Sequence, residues 1–410
     1  MKEIKGKYTE AKIFSNVIDD EVIRQIELLV NQEFMKDIKI RMMPDVHGGE
    51  GCCIGTTFKI ENKIVPNLVG VDIGCGMLTV KLGNIDIDLK KLDEFIHENI
   101  PSGRNVSNII SNFNIEKLRC FSKLKNVDYL KRSLGSLGGG NHFIEIDKNH
   151  NDELYLIIHT GSRNLGKQVA DIYQKIAVDY QINKVFNKKE KIKEVIGEYK
   201  KIGKEKEIEN EIKKINLFKI NLPMDKELCY LENDNFNDYM FDMVICQNFA
   251  SENRNIIARK IVEFLGLNFD ELEKFHTIHN YINFNDMILR KGAISAYKNE
   301  KVLIPINMKD GCIIGSGKGN EDYNYSAPHG AGRLLSRKAA KETISLEEYK
   351  LSMNGIYSTT INENTLDEAC FAYKPIETII DYIKETVDII EIIKPIYNFK
   401  SDEECLLNKK

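Results

Sequence analysis

The sequence predicts an α+β protein, a single large domain over residues 1–410 with a central cleft. A chain of 410 residues is long enough to bury a large core. The apolar run at residues 154–158 predicts a buried strand, and residues 68–71 form a second buried apolar run, which ends in glycines. Residues 242–264 carry apolar side chains at helical spacing. Apolar residues make up 42% of the chain and charged residues 29%, which is typical of a globular protein.

Composition argues against several classes of protein. The formal net charge is −4, so any contact with RNA or DNA has to come from a local patch rather than from an overall basic surface. The nine cysteines, with Cys52 and Cys53 adjacent, do not form the pattern of a disulfide scaffold and favour a reducing, cytoplasmic location. The polar start of the chain predicts no signal peptide. Because no run of about 18 apolar residues occurs, we expect no membrane span.

The first part of the chain combines a helix, a glycine-rich loop and a strand. Apolar residues at helical spacing predict a helix over residues 15–30. A proline and several glycines predict a structured loop over residues 43–51. This loop carries Asp45 and His47, which belong either to a site or to an Asx-type turn with a solvated histidine. A strand is predicted over residues 54–60.

A glycine cluster precedes a short strand in the middle of the chain. The glycines at 138–140 disfavour regular structure, and residues 141–146 predict a strand. On that strand Asn141 and Glu145 share one face, and His142 points to the other.

The buried strand at 154–158 leads into a further candidate segment. It ends at His159, before a glycine turn, and a helix is predicted to begin near Leu165. The amides at the start of that helix, together with Arg163, would form an anion pocket. Earlier in the chain, residues 88–96 predict a helix with a polar face.

Three further segments complete the predicted fold. Residues 184–215 are rich in lysine and glutamate and predict a charged helical insertion, a hairpin with a break at Gly203. A solvated arm explains this segment better than RNA contact or dimer packing does. The helix over residues 242–264 is predicted to end before Gly266. Residues 373–400 predict one amphipathic helix.

Six residues lie beside glycines or at the ends of apolar runs: Asp72, Cys75, His142, His159, His279 and His329. Five of the six are soft or borderline metal ligands, which favours a metal site over six separate structural roles. Ligand type alone indicates zinc at least as readily as manganese, and a thiolate can bridge two ions. His329 precedes small residues and Arg333, and the pattern is compatible with either a nucleophile or a ligand. Asn141, Arg163 and Lys400 add phosphate donors, so the set suggests phosphoryl or nucleotidyl transfer.

Seven motifs, in this order, resemble the RtcB family of RNA-splicing ligases. They are residues 44–51 (PDVHGGEG), 70–76 (GVDIGCG), 138–145 (GGGNHFIE), 159–163 (HTGSR), 279–281 (HNY), 290–293 (RKGA) and 329–333 (HGAGR). The resemblance runs from about residue 40 to Lys400. It implies the family's own α+β fold around a cleft for metal and nucleotide.

The resemblance also implies an activity and its cofactors. The enzyme would use GTP and two Mn²⁺ ions to join RNA 3′-phosphate or 2′,3′-cyclic phosphate ends to 5′-hydroxyl ends. By matching motifs, His329 would be the nucleophile that carries GMP. Cys75 would bridge the two ions, one completed by Asp72 and His142. The other ion would be completed by His159 and His279.

Further contacts follow from the same resemblance. Asn141 would hold a phosphate, Glu145 would accept from the guanine edge, and Arg163 and Arg333 would hold RNA or nucleotide phosphates. The implied nucleotide-binding set is Asn141, Glu145, Asn307, Asp310, Gly330, Ala331, Gly332, Arg333, Tyr373 and Lys400. One departure is the stretch 304–311 (IPINMKDG), where the family usually has Pro-Gly-Ser-Met-Gly. Asp310 stands where a base-contacting serine is common, which leaves nucleotide preference open.

The implied role is tRNA splicing or, in a subgroup with the charged arm, RNA repair, and an archease-type activator is an implied partner. Two alternatives use the same residues. A metal-dependent phosphoesterase or nuclease would need the metals but no guanylated His329. A non-catalytic protein that binds RNA ends would need neither turnover nor the nucleophile.

Overall fold

The computed structural model describes residues 2–15, 18–218 and 220–401. Its strands are β1 (Lys2–Lys5), β2 (Glu10–Ile13), β3 (Ile40–His47), β4 (Ile54–Lys59), β5 (Lys63–Ile64), β6 (Gly76–Gly83), β7 (Phe143–Lys148), β8 (Leu154–Thr160), β9 (Leu231–Glu232), β10 (Lys274–Ile278), β11 (Asn280–Asn283), β12 (Ile288–Lys291), β13 (Ala293–Ser295), β14 (Lys301–Asn307), β15 (Gly311–Gly317), β16 (Ser326–Pro328) and β17 (Val387–Lys400). Its α-helices are α1 (Asp20–Val30), α2 (Leu89–Asn99), α3 (Val127–Arg132), α4 (Arg163–Val185), α5 (Lys188–Lys201), α6 (Ile208–Leu217), α7 (Asn233–Phe264), α8 (Arg337–Thr343), α9 (Leu346–Ser352) and α10 (Ile376–Ile383).

Two large sheets organise these elements. One has six strands in the order β1-β2-β3-β4-β12-β11, and the other has seven in the order β10-β6-β8-β7-β17-β15-β14. Every neighbouring pair in the seven-stranded sheet is antiparallel. The helices pack against the sheets, and the α+β class predicted from the sequence is confirmed.

Helix α7 connects the two largest cores. Its first half buries residues such as Met243 and Phe249 in a core shared with α1, α4 and the six-stranded sheet. Its second half buries Ile257 and Ile261 in a core shared with α2 and the seven-stranded sheet. The polar pair between these halves, Asn253 and Arg254, is fully buried as well. No helix in the described ranges has the length and apolar character that a membrane crossing needs.

Most predicted elements are present at nearly the predicted positions. The strands at 54–60 and 154–158, the helix at 88–96 and the helix at 242–264 correspond to β4, β8, α2 and α7. The charged segment forms α5 and α6, which are separated near Gly203, a residue with φ +69°. That this segment is an insertion into a single domain stays a prediction.

Three boundaries differ from the predictions. Helix α7 begins at Asn233, nine residues before the predicted start at Asp242. The helix predicted from residue 15 begins at Asp20, because the side chain of Asp19 accepts a hydrogen bond from the Val22 amide and caps it. The loop predicted over 43–51 is strand β3 as far as His47. Pro44 is tolerated there because the pairing of β3 with β4 is irregular at this point, so the missing amide hydrogen costs no ladder bond.

The predicted C-terminal helix is present but ends earlier than the apolar spacing predicted, and a strand follows it. Residues 373–400 form the short helix α10 and then the 14-residue strand β17, which lies between β7 and β15. Ile379, Ile383 and Val387 pack in one core cluster although the helix ends between them. Because these residues are four positions apart, their pattern in the sequence is that of one helical face. The β-branched run that follows favours a central strand.

Candidate active site

Four predicted ligands lie at one end of the seven-stranded sheet. Cys75 immediately precedes β6, His142 precedes β7, and His159 is near the end of β8. His279 follows β10, where the chain passes into β11 of the other sheet. Because adjacent strands are antiparallel, the starts of β6 and β7 meet the ends of β8 and β10. Sheet topology thus brings together residues that are far apart in sequence.

The distances between the donor atoms fit two metal ions that share Cys75 as a ligand. Cys75 Sγ lies 3.5 Å from His142 Nε2 and 3.4 Å from His159 Nε2. His159 Nε2 lies 3.4 Å from His279 Nε2, and His142 Nε2 lies 3.1 Å from Asp72 Oδ2. Sulfur and nitrogen ligands of one tetrahedral ion lie about 3.3–3.5 Å apart. The atoms form two groups, Cys75 with His159 and His279, and Cys75 with Asp72 and His142.

Backbone carbonyls orient two of the histidine rings. The Nδ1 atom of His142 lies 3.0 Å from the carbonyl of Leu137, and that of His159 lies 3.1 Å from the carbonyl of Asn141. A carbonyl only accepts, so each ring carries its proton on Nδ1 and directs the Nε2 lone pair at the donor cluster. Burial lowers the pKa of both His159 and His279 well below the usual range, which keeps them in the neutral form that binds metal.

Cys75 has to lose its thiol proton before it can bind a metal ion. Burial, and then the charge of Asp72, raise the pKa of Cys75 well above its usual range. The thiolate that a metal site needs therefore forms only when positive charge is close. Arg254 supplies some of it: this guanidinium is fully buried, and its Nη1 donates to the carbonyls of Gly74 (2.9 Å) and Thr160 (2.8 Å). Nothing in the local sequence singled out Arg254.

His329 is paired with a buried carboxylate. Asp45 Oδ2 accepts from His329 Nδ1 at 2.8 Å and from the His329 amide at 3.1 Å. Asp45 is 0% exposed, whereas the His329 side chain is 22% exposed. The carboxylate fixes the imidazole proton on Nδ1, so Nε2 keeps its lone pair. Neither ligand group in the described residues includes His329.

Asp45 is a site residue whose role the sequence did not assign. The only local signal was its position in the 43–51 stretch, two residues before His47. His47 lines the cavity and donates from Nδ1 to the Asp45 carbonyl at 2.9 Å. Burial lowers the pKa of His47.

A cavity of about 940 Å³ opens above these residues, a volume typical of a small-molecule site. It is lined by Asp72, His142, His159, His279 and His329. It is also lined by most of the predicted nucleotide contacts: Asn141, Glu145, Asn307, Gly330, Ala331, Gly332, Arg333, Tyr373 and Lys400.

One wall of the cavity is a charged network centred on Glu368. The Glu368 carboxylate accepts from Tyr373 Oη (2.7 Å) and Lys400 Nζ (2.8 Å), and Arg333 Nη1 donates to Tyr373 Oη at 2.9 Å. Burial alone would raise the pKa of Glu368, but the charges of Lys400, Arg337 and Arg333 lower it to about 2. Nothing in the local sequence indicated Glu368. The network holds three polar side chains in place before any ligand binds.

Two of the predicted phosphate and base contacts, Arg163 and Asp310, are not among the described lining residues of the cavity. The Arg163 guanidinium lies behind His142, 3.4 Å from His142 Nδ1, and fills the space that a Cβ on Gly138 would occupy. Asp310 accepts from Asn307 Nδ2 at 2.8 Å. Their roles in binding phosphate and base stay predictions. Helix α4 begins at Arg163, two residues before the predicted start.

Comparison with known proteins identifies relatives of this chain. A family model described as tRNA-splicing ligase RtcB matches residues 29–127 and 120–401. The chain is 26% identical over 397 residues to the RNA-splicing ligase RtcB of Escherichia coli (strain K12), covering 87% of this chain and 88% of that protein. It is 27% identical over 475 residues to the tRNA-splicing ligase RtcB of Nanoarchaeum equitans, covering 91% and 90%. With the tRNA-splicing ligase RtcB of Methanococcus maripaludis it shares 26% over 478 residues, covering 94% and 92%.

Proposed function

The chain belongs to the RtcB family and is an RNA ligase, and we propose that it uses GTP and two Mn²⁺ ions to join RNA ends through a guanylated His329. One RNA end would carry a 3′-phosphate or a 2′,3′-cyclic phosphate and the other a 5′-hydroxyl. The proposed role is tRNA splicing or RNA repair in the cytoplasm, with an archease-type protein as a candidate activator.

The observation that carries this proposal is the pair formed by His329 and Asp45. With its proton held on Nδ1 by Asp45, the imidazole presents the Nε2 lone pair as a nucleophile. Nε2 would attack the α-phosphorus of GTP, forming a P–N bond as the P–O bond to pyrophosphate breaks. Asp45 stabilises the positive charge that develops on the ring, in the way that a carboxylate supports a catalytic histidine.

The following steps return the imidazole to its starting state. An oxygen of the RNA 3′-phosphate attacks the phosphorus of the bound GMP, and His329 leaves with its electron pair. The 5′-hydroxyl then attacks the activated 3′-phosphate, loses its proton and displaces GMP. A cyclic phosphate would first be opened by water. His329 is suited to this relay because neutral imidazole is both a good nucleophile and a good leaving group.

The donor set supports two ions below the nucleotide. Cys75 would be shared, with Asp72 and His142 on one ion and His159 and His279 on the other. Ions bound there would neutralise charge on the phosphates and on the departing pyrophosphate. Mn²⁺ is proposed as the metal from the family resemblance.

The cavity wall supports a nucleotide site. Arg333, Tyr373 and Lys400 are held by Glu368 with their polar groups at the cavity. We propose that they contact guanosine and its phosphates, with Asn141 at a phosphate. Such preorganised donors lose little freedom on binding. Glu145, which also lines the cavity, would accept from the guanine N–H groups.

Intact mass after incubation with GTP and Mn²⁺ tests the proposal. We expect the wild-type protein to gain one GMP, and His329→Ala to gain none. His150→Ala, a matched change of an exposed histidine, should label like the wild type. An adduct with ATP and none with GTP would keep the chemistry and revise the base. If a folded, metal-loaded protein gains no nucleotide, a phosphoesterase or an RNA-end-binding protein explains the site better.

A further inference from the structure

A second cluster of potential ligands lies within the seven-stranded sheet, on strands β7, β15 and β17. Glu145 and Asp147 are two residues apart on β7 and so share a face, and Cys312 lies on β15. One ligand atom from each of these three residues lies within 4.8 Å of the others. Asn398 of β17 pairs with Glu145 across the sheet, and its Nδ2 donates to Glu145 Oε2. The cluster contains none of the metal ligands proposed above, although Glu145 is also the proposed guanine contact.

Polar atoms of this cluster are buried without partners. Asp147 and Cys312 are 0% exposed, Asn398 is 1% exposed and Glu145 3%. Among the described residues, neither carboxylate oxygen of Asp147 has a hydrogen-bond partner, and Asn398 Oδ1 has none. Buried polar atoms are nearly always satisfied, so three unpaired acceptors in one place indicate a missing partner that offers positive charge or protons.

No side chain in the described ranges supplies that charge directly. None of their ion pairs includes Glu145 or Asp147. Lys400 is close enough to affect the pKa of Glu145, but its Nζ donates to Glu368 at 2.8 Å. Apolar side chains pack around Cys312, among them Phe143, Ile157, Leu303, Ile314 and Ile393. Two carboxylates in such a place have to be neutralised by a cation or by a proton.

The donor set and its spacing favour a cation. Cys312 Sγ lies 3.8 Å from Glu145 Oε1, close to the separation of about 3.5 Å that one tetrahedral ion imposes on a sulfur and an oxygen ligand. A thiolate beside carboxylate oxygens suits Zn²⁺ better than Mg²⁺ or Ca²⁺, which prefer oxygen alone. Binding would release the thiol proton of Cys312 to solvent.

We propose that Glu145, Asp147 and Cys312 bind a third divalent ion, best Zn²⁺, with Asn398 as the remaining oxygen donor. The ion would tie β7, β17 and β15 together beside the cavity. This third site goes beyond the ligation reaction. It does not depend on that reaction, because the ion would be bound whether or not His329 is guanylated. A carboxylate has two oxygens, so metal bonding by Glu145 leaves capacity for a hydrogen bond from a base.

The competing occupant is a proton shared by the two acids. Burial and the charge of Glu145 raise the pKa of Asp147 well above its usual range, as expected if Asp147 is the protonated partner when no ion is bound. A shared proton would satisfy one oxygen of each acid. Only the ion adds a metal equivalent and recruits the sulfur of Cys312.

The metal content of a variant that lacks the proposed two-ion site distinguishes a bound ion from a shared proton. Full-length Cys75→Ala, which lacks the bridging thiol, is loaded with zinc or cobalt, desalted and analysed by mass spectrometry for metal per chain. We expect one tightly held zinc per chain and, with cobalt, a thiolate charge-transfer absorption. Adding Asp147→Asn or Cys312→Ser should remove that ion and, for Cys312→Ser, the absorption. Cys370→Ser is the matched cysteine control.

The proposal is overturned if folded Cys75→Ala retains no zinc. It is also overturned if the retained zinc persists in both Asp147→Asn and Cys312→Ser. A protonated-carboxyl infrared band that Asp147→Asn removes from the zinc-exposed protein would identify the shared proton instead. Should Cys75→Ala fail to fold, the wild type answers the question: three ions per chain, falling to two in Asp147→Asn, support the site, and two in both proteins refute it.

Discussion

Replacing Asp45 with asparagine is expected to slow guanylation of His329 while leaving the metal ligands in place. Asp45 is buried on β3, and its Oδ2 is the partner of both His329 Nδ1 and the His329 amide. It belongs to neither of the two groups of proposed metal ligands. The change therefore isolates the orientation and charge of the imidazole from metal binding.

The size of the effect follows from the charged hydrogen bond between Asp45 and His329, which the substitution removes. A hydrogen bond to a charged group contributes about 1.5–3 kcal/mol, and every 1.4 kcal/mol is about tenfold in rate, so this short bond corresponds to about 10-fold to 150-fold. An asparagine that turns its amide N–H toward the ring adds a second penalty. It would favour the proton on Nε2 and remove the attacking lone pair. We expect the loss at the upper end of that range.

The assay is single-turnover labelling. Protein in excess over GTP is quenched at intervals, and the GMP adduct is followed by intact mass, with metal per chain measured on the same samples. Asp270→Asn, which changes a surface carboxylate paired with Arg259, is the matched control and should label at the wild-type rate. If Asp45→Asn, folded and fully metal-loaded, also labels at that rate, the assignment of Asp45 as the group that orients His329 is wrong.

Two further changes test other parts of the site. Gly161→Ala would place a Cβ against Asp72 Oδ1, closer than two atoms can approach without a bond. We therefore expect metal analysis to show one ion per chain fewer than in the wild type. Gly197→Ala, with open space around it on α5, should keep the wild-type metal content. Unchanged metal content in Gly161→Ala would argue against Asp72 as a ligand. Glu368→Gln should lower the free energy of unfolding near pH 7 by about 3 kcal/mol, because a pKa lowered from 4.5 to about 2 stabilises the fold through the ionised carboxylate. That stabilisation is complete above pH 4.5 and is lost as the pH falls through about 2. Denaturant unfolding at pH 7 and pH 3 should therefore show the two proteins converging in acid, and equal stability at pH 7 would contradict the network.

The local sequence was sufficient to identify candidate site residues whose neighbours in the chain mark a turn or the end of a strand. Cys75, His142 and His159 stand beside glycines or at the ends of apolar runs, so strand ends and tight turns could be predicted around them. The sheet then brings those ends together. The pattern could not give the sheet order, since strand pairing depends on contacts between segments far apart in sequence.

The residues that the local sequence missed contact partners that are far away in the sequence. Asp45 and His329 are 284 positions apart, and Arg254 and Gly74 are 180 apart. A buried carboxylate or guanidinium leaves no periodic signal of its own, because its significance comes from the partner. The error at β17 has the same origin: Val387 continues the helical spacing of Ile379 and Ile383, and only pairing with β7 and β15 makes the segment a strand.

The position of the site follows from the middle of helix α7. There Asn253 Oδ1 accepts from the Gly135 amide at 2.6 Å, and Arg254 Nη1 donates to the carbonyls of Gly74 and Thr160. One turn of a rigid helix thus holds the segments that precede β6 and β7 and the end of β8. Loops without regular structure would otherwise place their side chains loosely, and ligands must be positioned within a few tenths of an ångström. The two buried polar residues at the junction of the cores are therefore what allows glycine-rich segments to carry the proposed metal site.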